Sequence, residues 1–217
     1  MKLKHSLVAG ATLGLVAVAG PALATGSAST VAVGGNSTAG QSPVTATSDG
    51  PLTFQAEKPD GTFLTMNCES GNVPASPASY VNRGTGIVDI ATLNRINLVR
   101  CTGPGGGLTV TMAPSQKLHR TGAVTAGATD VIAGHIDGVK ATASNAVCRF
   151  TVTGGADGTF NEGNQKLTIN ETANGTGAAL TVSGVTGCLG QVKNGGKAKF
   201  SGTFTTTTSG GAVNVKP

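Results

Sequence analysis

The residues best placed to do chemistry are a histidine and an aspartate separated by one position. On a β-strand, His135 and Asp137 would face the same side about one pleat repeat apart, and could share a metal ion or a proton. A metal centre needs a third ligand, which this pair lacks. Asp137 also precedes Gly138, as aspartates in tight turns do. We therefore interpret Asp137 as a turn residue and His135 as a surface residue whose replacement by alanine changes stability by less than about 0.5 kcal/mol. We expect no metal site and no cofactor.

The sequence lacks the common motifs of hydrolases. No serine has glycine two positions before and two after it, which excludes the nucleophile elbow. His119 stands beside Arg120 and near Lys117, which favours a solvated basic edge, with anion binding as the alternative. Glycoside hydrolysis requires two converging carboxylates. The acids outside Asx-Gly pairs show no shared spacing: Glu57, Glu69, Asp89, Asp130, Glu162 and Glu171. We therefore predict no catalytic residue.

Aromatic residues are too few for two common kinds of binding module. The chain has no Trp, one Tyr and six Phe, whereas sugar-binding sandwiches and single-strand nucleic-acid binders stack their ligands on such rings. Phe150, Phe200 and Phe204 fall on the apolar faces of predicted strands and are assigned to the core. Phe200→Ala should then cost about 3–5 kcal/mol if the ring is fully buried. Tyr80 is the one candidate for an exposed aromatic anchor, and packing against the sheet is the simpler interpretation.

The densest positive patch consists of Lys193, Lys197 and Lys199. Lysines on one face of a strand keep a sheet edge from pairing with another molecule, and this is the interpretation we favour. The alternative is weak attachment to anionic cell-wall polymers. The formal net charge of +5 is not clustered in the way that nucleic-acid binding requires.

The first 24 residues predict a secretory signal peptide. Lys2 and Lys4 precede an uncharged apolar run, and Ala22-Leu23-Ala24 has the small residues of a cleavage site. The run is too short to span a bilayer, which needs about 20 apolar residues, so an uncleaved anchor is the weaker alternative. We expect cleavage after Ala24, export of the chain and no membrane span afterwards.

Four cysteines follow the cleavage site: Cys68, Cys101, Cys148 and Cys188. An even number in an exported chain predicts two disulfides, and sequence cannot separate the three possible pairings. We favour the sequential one, Cys68 with Cys101 and Cys148 with Cys188, in which each loop contributes about 3–4 kcal/mol. No pair has the C-x-x-C spacing of zinc or redox motifs.

Apolar residues alternate with polar ones from Leu52 onward, which predicts β-strands with one buried face. Asx-Gly pairs between these segments predict tight turns. We therefore predict an all-β fold, an antiparallel β-sandwich or barrel-like sandwich with two disulfides. The alternative is two small β subdomains, one per disulfide, divided near residues 113–130. The alternating segments are 64–68, 108–112, 148–152, 166–170, 180–183 and 197–204, and the Asx-Gly pairs are Asp49-Gly50, Asp60-Gly61, Asp137-Gly138, Asp157-Gly158, Asn174-Gly175 and Asn194-Gly195.

Composition divides the chain into four predicted parts. Residues 1–24 are the signal peptide, and residues 51–208 form the disulfide-bonded β domain. Residues 25–50 contain almost no large side chains and are predicted to be a flexible spacer, with one edge strand at Ser29–Val33 as the alternative. Residues 209–217 are predicted to be a C-terminal tail.

The second half of the chain carries a recognisable order of strands and glycines. Its elements are the strand with Cys148, Phe150 and Val152, the glycines before Phe160, the strand with Leu167, and then Leu180-Thr181-Val182, Gly187-Cys188-Leu189-Gly190 and Phe200-Ser201-Gly202. This order resembles a group of secreted, disulfide-bonded actinobacterial β proteins of unknown function. The resemblance implies a bacterial source, the β fold, export and a Cys148–Cys188 bridge, and it brings no catalytic residues.

These observations favour a secreted, non-enzymatic extracellular or envelope-associated protein that acts as a binding or structural module. Its partner would be a cell-wall polymer or another protein. A secreted hydrolase with a site built from scattered residues is one alternative. A carrier of a small apolar molecule, or a protease inhibitor, is the other.

Overall fold

The computed structural model describes residues 26–173 and 179–217. Within these residues no helix is long and apolar enough to cross a membrane. They form fifteen β-strands and a short 3-10 turn at Cys188–Gly190. In chain order the strands are β1 (Ser29–Val33), β2 (Gly40–Ser48), β3 (Leu52–Glu57), β4 (Phe63–Val73), β5 (Ser79–Ile87), β6 (Asp89–Leu93), β7 (Asn97–Gly103), β8 (Gly106–Met112), β9 (Gln116–Arg120), β10 (Val131–Ser144), β11 (Cys148–Asn161), β12 (Lys166–Glu171), β13 (Thr181–Gly187), β14 (Ala198–Thr208) and β15 (Val213–Lys216).

The described strands join one antiparallel sheet, which closes into a barrel of ten strands with further strands outside it. Along the sheet the order is β13-β11-β12-β14-β2-β4-β7-β8-β10-β9-β6-β5-β1-β15. The sheet closes because β10 also pairs with β11 and β2 also pairs with β5, while β3 bridges β14 and β4. This confirms the all-β antiparallel prediction in its barrel-like form, and the continuous sheet replaces the alternative of two subdomains.

Alternation of burial along the strands follows the alternation in sequence. In β11, Cys148, Phe150 and Val152 are buried, whereas Arg149 is exposed and Thr151 is half-buried. Because successive side chains of a strand point to opposite faces, this pattern places the apolar face toward the barrel interior. Threonine and serine hydroxyls cover much of the other face.

Both disulfides have the predicted sequential pairing. Cys68 and Cys101 stand directly opposite each other in the paired strands β4 and β7. Cys148 at the start of β11 bonds Cys188, which follows the end of β13. All four cysteines are therefore bonded.

The predicted spacer at 25–50 and tail at 209–217 are wrong, because both segments contain strands of the sheet. Strand β1 pairs with β15 and β5, and β2 pairs with β14, β4 and β5. Val31, Val44 and Val215 are buried. Small side chains could not form a core by themselves, but here they extend a core that other strands provide. The alternative strand at Ser29–Val33 is confirmed.

Asx-Gly pairs occupy two kinds of position. Asp49-Gly50, Asp60-Gly61 and Asn194-Gly195 lie between strands, as predicted, whereas Asp137-Gly138 and Asp157-Gly158 lie inside β10 and β11. The turn prediction is wrong for the latter two. Gly138 adopts a φ of +72° at the point where the register of β10 and β11 shifts, between Ile136 and Val139. This irregularity is a β-bulge, and glycine within a strand often marks one. Asn174-Gly175 and the predicted signal peptide lie outside the described residues.

Candidate functional site

An apolar cavity of about 100 Å³ lies among the inward-facing side chains of the barrel. Phe54, Met66, Leu108, Phe150 and Phe204 are among its lining residues, and no charged side chain lines it in the part of the chain that the structure describes. Apolar pockets with few polar groups are the usual form of sites for small molecules.

The cavity follows from the width of the barrel and the small size of its wall residues. Side chains just fill a barrel of about eight strands, and this barrel has ten. Ala141 and Ala143 of β10 and Ala156 of β11 face the cavity, and the chain has only six Phe and no Trp to fill the interior. The rings of Phe54 and Phe150 stack with centroids 6.1 Å apart. Two aromatic rings therefore meet, while the alanines on β10 and β11 beside Phe150 leave space.

Gln116, the first residue of β9, is a polar exception in this lining. Its side chain is fully buried, and its Nε2 donates a hydrogen bond to the carbonyl of Ala113. Because that carbonyl can only accept, the amide orientation is fixed with its nitrogen toward Ala113. The Oε1 atom is buried and has no hydrogen-bond partner among the described residues. A buried acceptor without a donor costs about 1–3 kcal/mol, so this atom marks a point where a donor would bind favourably.

A second cluster joins histidines and aspartates across neighbouring strands. The sheet register places His135 of β10 between His119 of β9 and Asp157 of β11. Nδ1 of His135 lies 2.5 Å from Oδ1 of Asp157. The carboxylate of Asp137 lies between the two imidazoles, 3.2 Å from Nε2 of His135 and 3.3 Å from Nδ1 of His119. Asp89 of β6 stands opposite His119 in register, so the sheet brings together residues that the sequence analysis treated separately.

Both histidines are buried, His135 to 1% and His119 to 3% exposure. A Cβ atom at Gly155 would lie 2.1 Å from Nε2 of His135, and one at Gly26 would lie 2.8 Å from Cβ of His119. The two glycines therefore allow the backbone to cover the rings. The interpretation of His135 as a surface residue is wrong, because β10 continues as a strand past Asp137 and the neighbouring strand has no side chain where the imidazole packs.

The burial of both histidines limits the chemistry that this histidine–aspartate cluster can perform. The Asp157–His135 pair has the orienting carboxylate and imidazole that a catalytic triad also uses. Its Nε2 atom, however, faces Asp137 and the backbone of Gly155 instead of a cleft. No group of three or more His, Cys, Asp and Glu side chains in residues 26–173 and 179–217 is placed to hold a metal ion. The side-chain contacts of the cluster join β9, β10 and β11.

The remaining acidic candidates do not form one group, although Glu162 lies beside Asp130 and Glu171 lies beside Asp157. Glu171 accepts hydrogen bonds from the backbone N–H groups of Asp157 at 3.1 Å and Ala173 at 2.8 Å. Glu162 accepts from the N–H groups of Val215 and Asp130, and burial raises its pKa above the ordinary 4.5.

Two further acids have simple local partners, an arginine for Glu69 and a threonine for Asp130. Glu69 lies 2.5 Å from a guanidinium nitrogen of Arg100, with both side chains largely exposed. Asp130 accepts from Thr125. These side chains and Glu57 do not converge on one point.

The lysine patch is partly neutralised. Lys193 lies 2.7 Å from Glu57, whose other oxygen accepts the backbone N–H of Lys197 at 2.9 Å. The hydrogen bond from Lys193 holds the pKa of Glu57 below its ordinary value. The ammonium of Lys199 lies 4.0 Å from the centroid of the Phe63 ring. Neighbouring groups of the same protein, Glu57 and Phe63, therefore contact the lysines of this patch.

Fold and site together define a disulfide-bonded antiparallel barrel with an apolar interior cavity. Comparison with protein-family models, with curated proteins and with solved structures finds no match to the chain. The resemblance to secreted actinobacterial β proteins stays a prediction.

Two residues of these sites were not predicted from the sequence. Gln116 does not differ in local pattern from an exposed glutamine, and no sequence signal identifies it. Asp157 was assigned to a turn, although Gly154 and Gly155 precede it in a segment that otherwise alternates like a strand. Glycines inside a strand indicate close approach of another group, and here that group is the imidazole of His135.

Proposed function

We propose that the protein is a secreted, non-enzymatic β-barrel that binds a small apolar molecule in its interior and carries or sequesters it. The observation that carries the proposal is the cavity of about 100 Å³ with its almost entirely apolar wall. It supports the carrier hypothesis among the alternatives that the sequence left open.

Export is part of the proposal and has separate support. Ala22-Leu23-Ala24 follows an apolar run in the pattern of a signal peptide. All four cysteines are in disulfides, and disulfides persist in oxidising compartments outside the cytosol. A carrier in such a compartment meets apolar molecules released into the medium or the envelope.

The energetics of an apolar void favour a ligand that fills it. Atoms lining a void lose dispersion contacts on one side, and an apolar cavity of about 150 Å³ binds benzene or xenon. The smaller cavity here suits molecules of a few heavy atoms. At a ceiling of about 1.5 kcal/mol per heavy atom for the smallest ligands, we expect dissociation constants in the millimolar to micromolar range.

Titration with xenon and benzene tests the proposal by NMR, with backbone amides of β3, β10 and β11 as reporters. We expect saturable shifts at residues around the cavity in the wild type. Ala143→Leu should abolish binding because Ala143 is buried and faces the cavity. Ala141→Val, a smaller addition on the same strand, should weaken it.

Ala146→Leu is the matched control, since Ala146 is exposed in the turn after β10. Binding should be unchanged in this variant. Absence of saturable binding of both probes to the folded wild type would overturn the proposal. Equal binding by Ala143→Leu and the wild type would also overturn it, because the bound site would then lie elsewhere.

A further inference from the structure

We infer that the ligand of the cavity carries a hydrogen-bond donor, an O–H or N–H group, that Gln116 Oε1 accepts. This inference rests on the proposed function and names the chemical class of the ligand. Its basis is a fully buried side chain on the cavity wall whose acceptor oxygen has no partner among the described residues.

Local structure holds Gln116 in this arrangement. Strand β9 begins at Gln116, which pairs with Leu93 of β6. The preceding residue, Ser115, has a φ of +68°, so the backbone turns sharply just before the strand. The Nε2 group is held by the carbonyl of Ala113. Rotation of the amide to give Oε1 another partner would break that hydrogen bond, so the oxygen keeps its orientation and stays without a partner among the described residues.

The rest of the wall defines what accompanies the donor. The described lining residues carry no charge, and an ion buried there would lose its hydration without a counter-charge. The ligand is therefore neutral and presents hydrocarbon over most of its surface. The volume of about 100 Å³ limits it to a compact molecule such as a small alcohol or an N–H heterocycle.

Pyrrole and furan form a suitable pair of probes because they are nearly isosteric rings and only pyrrole has an N–H donor. We expect pyrrole to bind the wild type about tenfold more tightly than furan, the factor that corresponds to one additional satisfied hydrogen bond. Gln116→Met keeps the length of the side chain and removes the acceptor. In that variant the two dissociation constants should agree within about twofold.

A second measurement uses the wild type alone, in case Gln116→Met does not fold. The side-chain amide resonances of Gln116 should shift on addition of pyrrole and much less on addition of furan at equal saturation. Equal affinities for both probes in the wild type, or unchanged Gln116 amide resonances at pyrrole saturation, would overturn the inference and leave the proposed function standing. Failure of benzene, xenon, pyrrole and furan to bind would overturn both.

Discussion

Replacement of His135 by alanine should destabilise the barrel clearly. The imidazole is 1% exposed, its Nδ1 lies 2.5 Å from Asp157, and its ring packs over Gly155. Alanine removes this hydrogen bond and leaves unfilled space between β10 and β11. The sequence alone predicts almost no effect, so this variant distinguishes a buried His135 from one at the surface.

The size of the effect follows from the surroundings of the pair. A hydrogen bond to a charged group contributes about 1.5–3 kcal/mol. The lower part of that range applies because the Asp157 side chain is 27% exposed and water can partly replace the imidazole. Lost packing of the ring adds about 1 kcal/mol. We expect a loss of about 2–3 kcal/mol, which lowers Tm by about 4–12 °C in a protein of this size.

A double-mutant cycle measures the interaction directly. Urea unfolding of the wild type, His135→Ala, Asp157→Ala and the double variant should give a coupling free energy of about 1–2 kcal/mol. His135→Asn should recover part of the loss, since the asparagine amide can still donate toward Asp157. Lys140→Ala is the control on the same strand, because Lys140 is exposed, and it should change stability by less than about 0.5 kcal/mol.

A coupling free energy near zero, or unfolding of His135→Ala at the wild-type midpoint, would refute the buried hydrogen bond. The same variant tests the hydrolase alternative. We expect no turnover of a panel of hydrolase substrates by the wild type. If the wild type does turn over a substrate, and His135→Ala abolishes that turnover while remaining folded, the non-enzymatic proposal is wrong.

Three other predictions concern the core, a disulfide and a buried carboxylate. Phe150→Ala should lower the free energy of unfolding by about 3–5 kcal/mol, because Phe150 is 1% exposed. Phe200→Ala should lower it by less, because Phe200 is half-buried. Equal shifts of Tm for the two variants in thermal melts would contradict this prediction. Replacing Cys148 and Cys188 together by serine should cost about 4 kcal/mol in urea unfolding, from a loop of 40 residues, and a loss below about 1 kcal/mol would contradict it. Burial raises the pKa of Glu162 above 4.5, so the folded state binds this proton more tightly than the unfolded chain. The stability of the wild type relative to Glu162→Gln should therefore fall as pH rises from 4.5 through the raised pKa, and a relative stability that rises with pH in urea unfolding would exclude the effect.

Much of the fold could be predicted because its signals are local. Alternating residues marked β4, β8, β11, β12 and β14, and aspartate–glycine pairs marked the turns after β2 and β3. Strand β1 was predicted only as an alternative, and β2 and β15 were not predicted, for a different reason. Their side chains are small, and their burial depends on partners far along the chain, since Thr45 of β2 pairs with Thr207 of β14.

The sites could not be predicted because they depend on closure of the barrel and on neighbouring strands. The cavity exists only when the strands that carry Ala143 and Phe54 face each other across the interior. The burial of His135 depends on Gly155, which no spacing in the sequence connects to it. The His135–Asp137 pair was noticed, and its third member, Asp157, lies 22 residues away on the next strand.

The pairing of β1 with β15 also affects the order in which the chain can fold. Thr30 stands opposite Lys216, and Ser48 stands opposite Phe204. A chain that emerges from a ribosome or a translocation channel by its amino end must therefore keep part of β1 and β2 unpaired until its last strands appear. Such long-range pairing is slow and leaves sheet edges open to other chains. The interval between the emergence of β2 and that of β14 is the period in which nascent chains can aggregate or be cleaved by proteases, however stable the closed barrel is.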